Sequence, residues 1–254
     1  MPISKLDSEA DWIPEQAGAN PVQISKGTQK AYFKPTGSGH GAYPHGMLDF
    51  VGFLVGQVTG VPVAECRAAQ LPDGTRGFAS LWPLPPFFIW GALPPELSAT
   101  NTLEKFGGPK AFADLLVFDV WLGNKNRHAQ NLLFRELNSE PWQLVLIDHG
   151  HIFANGAWAN SWTDLQAPVS EPNLAIPPFI RSDNTKLAQL FDILLAKETA
   201  LLNHVSTKVA SINDQSVREA VIPIPNDFAT EEQLEATAEI LVRRKHKLLE
   251  IFPG

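Results

Sequence analysis

Cysteine, net positive charge and long apolar runs are all scarce in this chain of 254 residues. The single cysteine, Cys66, has no second cysteine for an intrachain disulfide, and no Cys/His spacing of the zinc type is present. No apolar stretch approaches the roughly 20 residues that span a bilayer, and the N-terminus lacks a basic region followed by an apolar core. We therefore expect a soluble, cytoplasmic protein without a membrane partner.

The charge balance bears on possible partners. A formal net charge of −7 argues against broad capture of nucleic acid or of an anionic membrane, because either needs a clustered positive field. The one basic run, residues 243–247, lies in a predicted helix that also carries acids, and we interpret it as a solvated helix face. Apolar residues make up 44% and charged residues 19%, as in ordinary globular proteins, so disorder is not expected.

The most informative feature is a short polar run followed by an Asp-x-Gly turn. Residues 124–131 read Asn-Lys-Asn-Arg-His-Ala-Gln-Asn, and residues 144–150 read Leu-Val-Leu-Ile-Asp-His-Gly. Protein-kinase catalytic loops place a base Asp five positions before a metal-binding Asn, and a second metal-binding Asp later opens an Asp-x-Gly turn. Asn131 and Asp148 stand where the two metal ligands belong, but the base position holds Asn126.

The spacing also predicts how the two ligands meet. Residues 132–134 and 142–147 have the pattern of a hairpin, with Asn131 before its first strand and Asp148 after its second. Each residue alone is typical of a turn or cap, but the hairpin brings both to one edge. A carboxylate and an amide carbonyl are hard oxygen ligands that suit Mg²⁺. The sequence therefore predicts a phosphoryl-transfer site, in which alignment and charge neutralisation matter most.

The rest of the chain suggests an α+β fold of two unequal lobes. We expect a small β-rich lobe with one main helix over residues 1–84, a hinge and irregular aromatic insertion over 85–109, and a helical lobe over 110–254. The Pro-rich stretch 83–86 marks the hinge, because proline cannot donate within a sheet. The predicted elements are a hairpin over 21–34, a helix over 47–59, strands over 61–69 and 76–82, and helices over 110–122, about 184–203 and 231–251.

The polar run and the Asp-His-Gly turn resemble the HipA-like kinases and, more distantly, the phosphoinositide kinases, which share the protein-kinase-like fold. In these families the third residue of the run is normally Asp. The similarity is strongest over about residues 110–153 and looser over 21–153, where it consists of a lysine-bearing strand and a helix ending in a Val-Pro-Val turn. The last hundred residues match only as helices of plausible length.

The resemblance implies roles in nucleotide binding. Lys34 resembles the strand lysine that holds nucleotide phosphates, and Asp49 falls where these families carry an acidic partner for it, normally Glu. The turn containing Ser25 and Gly27 would cover the phosphates with backbone amides, although a plain hairpin turn explains it equally. Trp82, within residues 80–84, would meet the adenine at the hinge. The implied cofactors are ATP and Mg²⁺.

Residues near the base position have interpretations of their own. Arg127 and His128 are expected to brace the catalytic loop, with His128 hydrogen-bonding the backbone near Asp148, and a proton-transfer role for His128 stays open. Asp119 and Asn124 flank the loop closely enough to hydrogen-bond its backbone. Asp119 is also the nearest preceding carboxylate and thus a candidate substitute base.

Asn126 leaves the activity open. An amide orients a hydroxyl but cannot usefully take its proton, and a general base contributes about 10²–10⁴ in rate. Three explanations stand: a natural pseudokinase or slow kinase, an engineered inactivating change that is nearly isosteric with Asp, or a different use of the nucleotide such as nucleotidyl transfer.

The resulting hypothesis is a HipA-like kinase that phosphorylates Ser or Thr of a protein or of its own chain. The resemblance implies a toxin-like or regulatory enzyme, sometimes with an inhibitory, antitoxin-like partner. One alternative is a catalytically inert nucleotide-binding or interaction module. A lipid or small-molecule kinase is a third, against which the absence of a basic cluster near the motifs argues.

Overall fold

The computed structural model describes residues 13–16, 22–26, 29–35, 45–71, 74–82, 87–124, 126–136, 141–153, 185–226 and 228–253, with side chains described from residue 31 onward except at residue 185. The strands are β1 (Ile13–Gln16), β2 (Val22–Lys26), β3 (Gln29–Pro35), β4 (Cys66–Gln70), β5 (Arg76–Leu81), β6 (Phe88–Ile89), β7 (Leu132–Arg135) and β8 (Gln143–Leu146). The α-helices are α1 (His45–Thr59), α2 (Ala99–Lys105), α3 (Lys110–Leu122), α4 (Thr185–Lys197), α5 (Thr199–Ala210), α6 (Asp214–Val221) and α7 (Glu231–Ile251).

The small lobe is an antiparallel sheet covered by α1. Its strand order is β1-β2-β3-β5-β4, and the predicted hairpin of β2 and β3 is confirmed. In the β3–β5 pair Lys34 lies opposite Phe78 and Tyr32 opposite Ser80. The predicted hinge residues 83–86 lie outside the described residues.

The predicted strand over 61–69 is wrong in its first half, since β4 begins only at Cys66. Residues 62–64 instead pair with the large lobe: the amide of Ala64 donates to Leu146 O (2.8 Å), and the amide of Leu146 donates to Pro62 O (2.8 Å). This segment is one backbone connection between the lobes.

The large lobe is built around α3, as predicted from its nearly continuous apolar sequence. Ten of its residues are buried, and α5 and α7 pack against it. The helix ends at Gly123, whose φ of 62° places it in the left-handed region that glycine adopts without strain. Strands β6, β7 and β8 form a second, antiparallel sheet, and the predicted β7–β8 hairpin is confirmed.

Two stretches differ from the sequence predictions. The insertion predicted as irregular contains β6, which pairs with β7, a 3-10 turn at Trp90–Ala92 and α2, whose first turn is capped by Ser98. The helix predicted over about 184–203 is two helices, α4 and α5, with a break at Glu198. Helix α6 was not predicted.

The basic run in α7 is not the solvated face that the sequence suggested. Arg244 and Lys245 are 4% and 1% exposed. Arg244 donates to Trp121 O and Val120 O, the last carbonyls of α3, and Lys245 pairs with Asp214 (2.5 Å). A buried cation at a helix C-terminus, as Arg244 is for α3, complements the helix dipole. Two of the five residues of this run are therefore structural.

Among the helices of the described ranges, none has the length and apolar character needed to cross a membrane.

Candidate active site

A cleft of about 310 Å³ lies between the small-lobe sheet and the polar run of the large lobe. Both lobes contribute to its walls, which include most of the residues singled out by the sequence. The lining residues are Tyr32, Lys34, Asp49, Ser80, Trp82, Ile89, His128, Gln130, Asn131, Ile147 and Asp148.

Lys34 is the electrostatic centre of this cleft. Near the end of β3, its Nζ lies 2.6 Å from Asp49 Oδ2 on α1 and 2.7 Å from Asp148 Oδ1 after β8. The short side chain of Asp49 thus reaches the lysine, because α1 packs closely on β3. A Cβ added at Gly46 would lie 3.2 Å from Lys34 Cβ. One ammonium therefore contacts a carboxylate of its own lobe, Asp49, and a carboxylate of the large lobe, Asp148.

The three charges shift one another's protonation. Burial lowers the pKa of Lys34, but the adjacent carboxylates outweigh it and hold that pKa above its ordinary value. Burial raises the pKa of Asp49 to about 6, whereas the Lys34 ammonium overcomes burial at Asp148 and holds its pKa well below the usual range. Fully ionised, the trio carries a net charge of −1, which favours a bound cation.

Arg127 organises the loop beneath the trio. Its guanidinium donates two hydrogen bonds to the Asp119 carboxylate, from Nε (2.8 Å) and from Nη2 (3.0 Å). Both side chains are 0% exposed. Nη1 donates to Asn131 O (2.6 Å) and Ile147 O (2.8 Å). The same side chain therefore fixes the backbone at Asn131 and immediately before Asp148.

His149 links this brace to α1. Its amide donates to Asp49 Oδ1 (2.5 Å), and its Nε2 lies 3.0 Å from Arg127 Nη2. Because a guanidinium only donates, Nε2 accepts and the ring proton resides on Nδ1. Burial together with Arg127 holds the pKa of His149 well below its ordinary value. A Cβ at Gly52 of α1 would lie 2.6 Å from this ring, so the close packing requires glycine there.

The turn itself is held in an uncommon conformation. Asp148 has a φ of 56°, which non-glycine residues seldom adopt and which the surrounding contacts must stabilise. The bonds of Lys34 to its carboxylate and of Arg127 to the preceding carbonyl supply such contacts.

Asn126, at the predicted base position, is fixed through its backbone. The amide of Asn126 donates to Asn124 Oδ1 (3.0 Å), and its carbonyl accepts from Asn131 Nδ2 (2.7 Å). Asn124 is anchored in turn on Asp119 (2.9 Å). Asp119, suggested as a substitute base, is buried in this network and is not among the residues that line the cleft.

The donor set suits a hard cation. Asn131 commits its amide nitrogen to the loop, which leaves its carbonyl oxygen for a ligand, and Asp148 is a partly exposed carboxylate on the same wall. No group of three or more His, Cys, Asp or Glu in the described part of the chain is arranged to hold a metal alone. Two protein ligands with remaining positions for water and phosphate match the way proteins bind Mg²⁺.

The remaining predicted residues fall in different places. Trp82 lines the cleft beside Tyr32, with ring centroids 5.6 Å apart. Its buried Nε1 has no hydrogen-bond partner among the described residues. His128 also lines the cleft, and its Nδ1 caps the 3-10 turn over residues 129–131 by accepting from the amide of Gln130 (3.2 Å). Ser25 lies in β2 without a described side chain, and Gly27 falls outside the described residues.

Several cleft residues were missed by the sequence reasoning. Tyr32 lies two positions before Lys34 in β3, and strand alternation places both on one face, so this residue was within reach of the pattern. Ser80, which lies opposite Tyr32 in the β3–β5 pair and also lines the cleft, was not missed, because it belongs to the range 80–84 that was predicted to meet the adenine. Ile89 and Gln130 carry no comparable signal.

Among known proteins, the chain matches one family model and several solved structures. A family model described as phosphatidylinositol 3- and 4-kinase matches residues 99–224. No curated protein matches the chain.

Among solved structures, the proinflammatory kinase CtkA of Helicobacter pylori is 16% identical with a TM-score of 0.63, over 96% of this chain and 95% of CtkA. HipA of Shewanella oneidensis, solved with HipB and operator DNA, is 11% identical with a TM-score of 0.44, over 96% of this chain and 66% of HipA. A fragment of Legionella pneumophila LepB is 17% identical with a TM-score of 0.36, over 86% and 44% of the two chains. The similarity to CtkA shows that this chain has a two-lobed, kinase-like α+β fold, as predicted.

Proposed function

We propose that this chain is a kinase-type phosphotransferase that binds ATP and Mg²⁺ in the cleft between its lobes. The observation that carries the proposal is the placement of Lys34 between Asp49 and Asp148, with Asn131 on the same wall. Removing these three charges from water opposes folding. We therefore infer that the cluster is kept for its function and not for stability.

Each group has a definite task in this proposal. The Lys34 ammonium is a point charge for phosphate oxygens, and Asp49 orients it from α1. Asp148 and Asn131 would hold Mg²⁺, which when bound neutralises phosphate charge. The aromatic and aliphatic side chains of Tyr32, Trp82 and Ile89 offer an apolar wall for the adenine ring of ATP.

Asn126 limits the chemistry. It occupies the sequence position of the base in the motif, and Asn124 and Asn131 hold its backbone, yet its side-chain amide cannot accept the proton of an attacking hydroxyl. We infer that Asn126 orients an acceptor hydroxyl and that transfer by the chain as given is slow.

The acceptor class rests on the sequence motif. The HipA-like pattern of residues 124–150 favours Ser or Thr of a protein, or of the chain itself, and an inhibitory antitoxin-like partner belongs to the same proposal. The match of residues 99–224 to the phosphatidylinositol kinase family favours a second candidate, a lipid headgroup acceptor. Asn126 favours a third, a nucleotide-binding module without transfer.

Mass spectrometry after incubation with ATP and Mg²⁺, of the intact protein and, where vesicles are present, of the extracted lipid, tests the proposal. The parent, Asn126→Asp, and Asn126→Asp combined with Asp148→Ala are compared, each with and without a protein acceptor or phosphatidylinositol vesicles. Asn101→Asp, an exposed change on α2, is the matched control.

We expect Asn126→Asp to raise transfer by about 10²–10⁴ over the parent, and the second change to abolish it. Transfer only to the lipid would replace the protein acceptor by the second candidate. A nucleotidyl adduct would contradict phosphotransferase chemistry in favour of nucleotidyl transfer. No transfer in any folded variant would contradict it as well and leave the nucleotide-binding module.

A further inference from the structure

The segment after α6 returns from the large lobe to the small lobe. The ring of Phe228, in this segment, lies 4.6 Å from the ring of Phe78 in β5, and the guanidinium carbon of Arg76 lies 5.4 Å from the centroid of Phe228. These separations fall in the ~4.5–7 Å range of favourable aromatic pairs and within ~6 Å for a cation over a ring. Phe228 therefore contacts two side chains on one face of β5.

Phe78 is the point where this contact meets the site. It lies opposite Lys34 in the β3–β5 pair, and its ring is 5.4 Å from that of Phe50, which directly follows Asp49 in α1. A Cβ at Gly46 of α1 would lie 3.1 Å from the Phe78 ring. The buried ring of Phe78 therefore packs against the helix that carries Asp49, beside the strand that carries Lys34.

Helix α6 supports the same arrangement. It packs directly against α1, and its buried Val217 and Val221 belong to the same core as Phe50 and Phe78. We call α6 and the residues that follow it up to Phe228 the C-terminal segment. This segment contacts α1 through α6 and β5 through Phe228. Neither Phe228 nor any residue of α6 is among those lining the cleft.

We propose that Phe228 is a positioning residue: by packing on Phe78 it holds α1 against β3 so that Asp49 meets Lys34, and it thereby sets the affinity for nucleotide phosphates. This inference rests on the proposed function. It assigns to the C-terminal segment an influence on the small lobe that the motifs do not contain.

The test separates positioning from general stability by comparing ATP with adenosine. Only ATP carries the phosphates that Lys34 would contact. A misplaced Lys34–Asp49 pair therefore weakens the binding of ATP and leaves the binding of adenosine unchanged. Isothermal titration calorimetry with Mg²⁺ is performed on the parent, Phe228→Ala and Phe228→Tyr. Two variants are the controls. Ile222→Ala changes a side chain of the same segment that is 67% exposed, and Val205→Ala creates a cavity at a buried position of α5.

We expect Phe228→Ala to weaken ATP binding by about 5- to 10-fold, with adenosine affinity unchanged and ATP affinity recovered in Phe228→Tyr. Val205→Ala should lower stability without this split, and Ile222→Ala should match the parent. Equal weakening of both ligands, or no weakening of ATP, overturns the inference.

A readout without nucleotide distinguishes failure of this inference from failure of the proposed function. Acetylation of Lys34 by acetic anhydride, followed by peptide mass spectrometry, reports how well Asp49 and Asp148 hold the amine. Faster labelling of Lys34 in Phe228→Ala than in Val205→Ala supports positioning even if the parent binds no ATP. Equal labelling rates contradict it.

Discussion

Arg127 illustrates how single side chains determine this site. Its five N–H groups meet five acceptors: two carboxylate oxygens of Asp119, the carbonyls of Asn131 and Ile147, and the ring nitrogen of His149. A fully buried cation is tolerated only when partnered in this way. The residue next to the base position therefore stabilises the geometry of both expected metal ligands without lining the cleft.

His45 gives a pH-dependent prediction at this scale. Its Nδ1 lies 3.0 Å from Gly150 O, and burial, together with His151 and Lys34, lowers its pKa from 6.5 to about 4. Between pH 4 and 6.5 the unfolded chain binds more protons at this position than the folded chain, so its contribution to the free energy of unfolding rises with pH and is complete above 6.5.

Replacing His45 by Gln should therefore reduce the gain in unfolding free energy between pH 5 and pH 7, measured by urea denaturation. The pKa of Asp49 is raised to about 6, so its contribution to the free energy of unfolding falls as the pH rises. This contribution is present in both the parent and His45→Gln, so the difference between the two proteins isolates His45. His204→Gln, at an exposed position of α5, is the control. An equal gain in the parent and His45→Gln would contradict this assignment.

The sequence was informative about site residues where spacing alone carries the signal. Asn131, Asp148 and Lys34 were identified from motif positions, and all three line the cleft. The contacts of Arg127 were not predictable, since its partners lie 4 to 22 positions away and meet only in the folded chain. The roles of these residues remain predictions until tested.

At the scale of elements, α7 shows how a sequence pattern misleads. Five consecutive basic residues suggested a solvated face, but a helix turns through more than one full turn over this length, so part of the run points inward. Arg244 there caps the C-terminus of α3, the helix that leads into the polar run.

Neighbouring arginines of α7 allow a matched test. Arg244→Met leaves two buried carbonyls of α3 without this donor, and we expect a loss of roughly 1–3 kcal/mol in unfolding free energy. Arg243→Met removes an exposed pair with Glu239 and should cost less than about 1 kcal/mol. Urea denaturation of both variants measures the difference. Equal losses would show that the Arg244 cap adds nothing.

Element prediction succeeded where the apolar pattern was long and uninterrupted, as in α3. It failed for α2 and α6, which are 7 and 8 residues long and give too few turns for a periodic signal. It also merged α4 and α5, because the apolar pattern continues across the break at Glu198. Such a break depends on packing against other helices, which the local sequence does not encode.

At the scale of the whole molecule, the site and the contact between the lobes are largely the same set of interactions. The small lobe meets the large lobe through Lys34 with Asp148 and through Asp49 with the amide of His149. Phe78 with Phe228 adds a contact remote from the cleft. A ligand that engages Lys34 and Asp148 therefore acts on the relative placement of the lobes as well.

The central claim is that this cleft binds ATP with Mg²⁺ through Lys34, and isothermal titration calorimetry tests it most directly. The parent is titrated with ATP in the presence and absence of Mg²⁺, alongside Lys34→Met and the exposed control Lys208→Met on α5.

We predict Mg²⁺-dependent binding to the parent, a loss of at least about tenfold, or roughly 1.4 kcal/mol, in Lys34→Met, and unchanged binding in Lys208→Met. A folded parent that gives no binding signal at millimolar ATP, or a Lys34→Met variant that binds as tightly as the parent, would contradict the account.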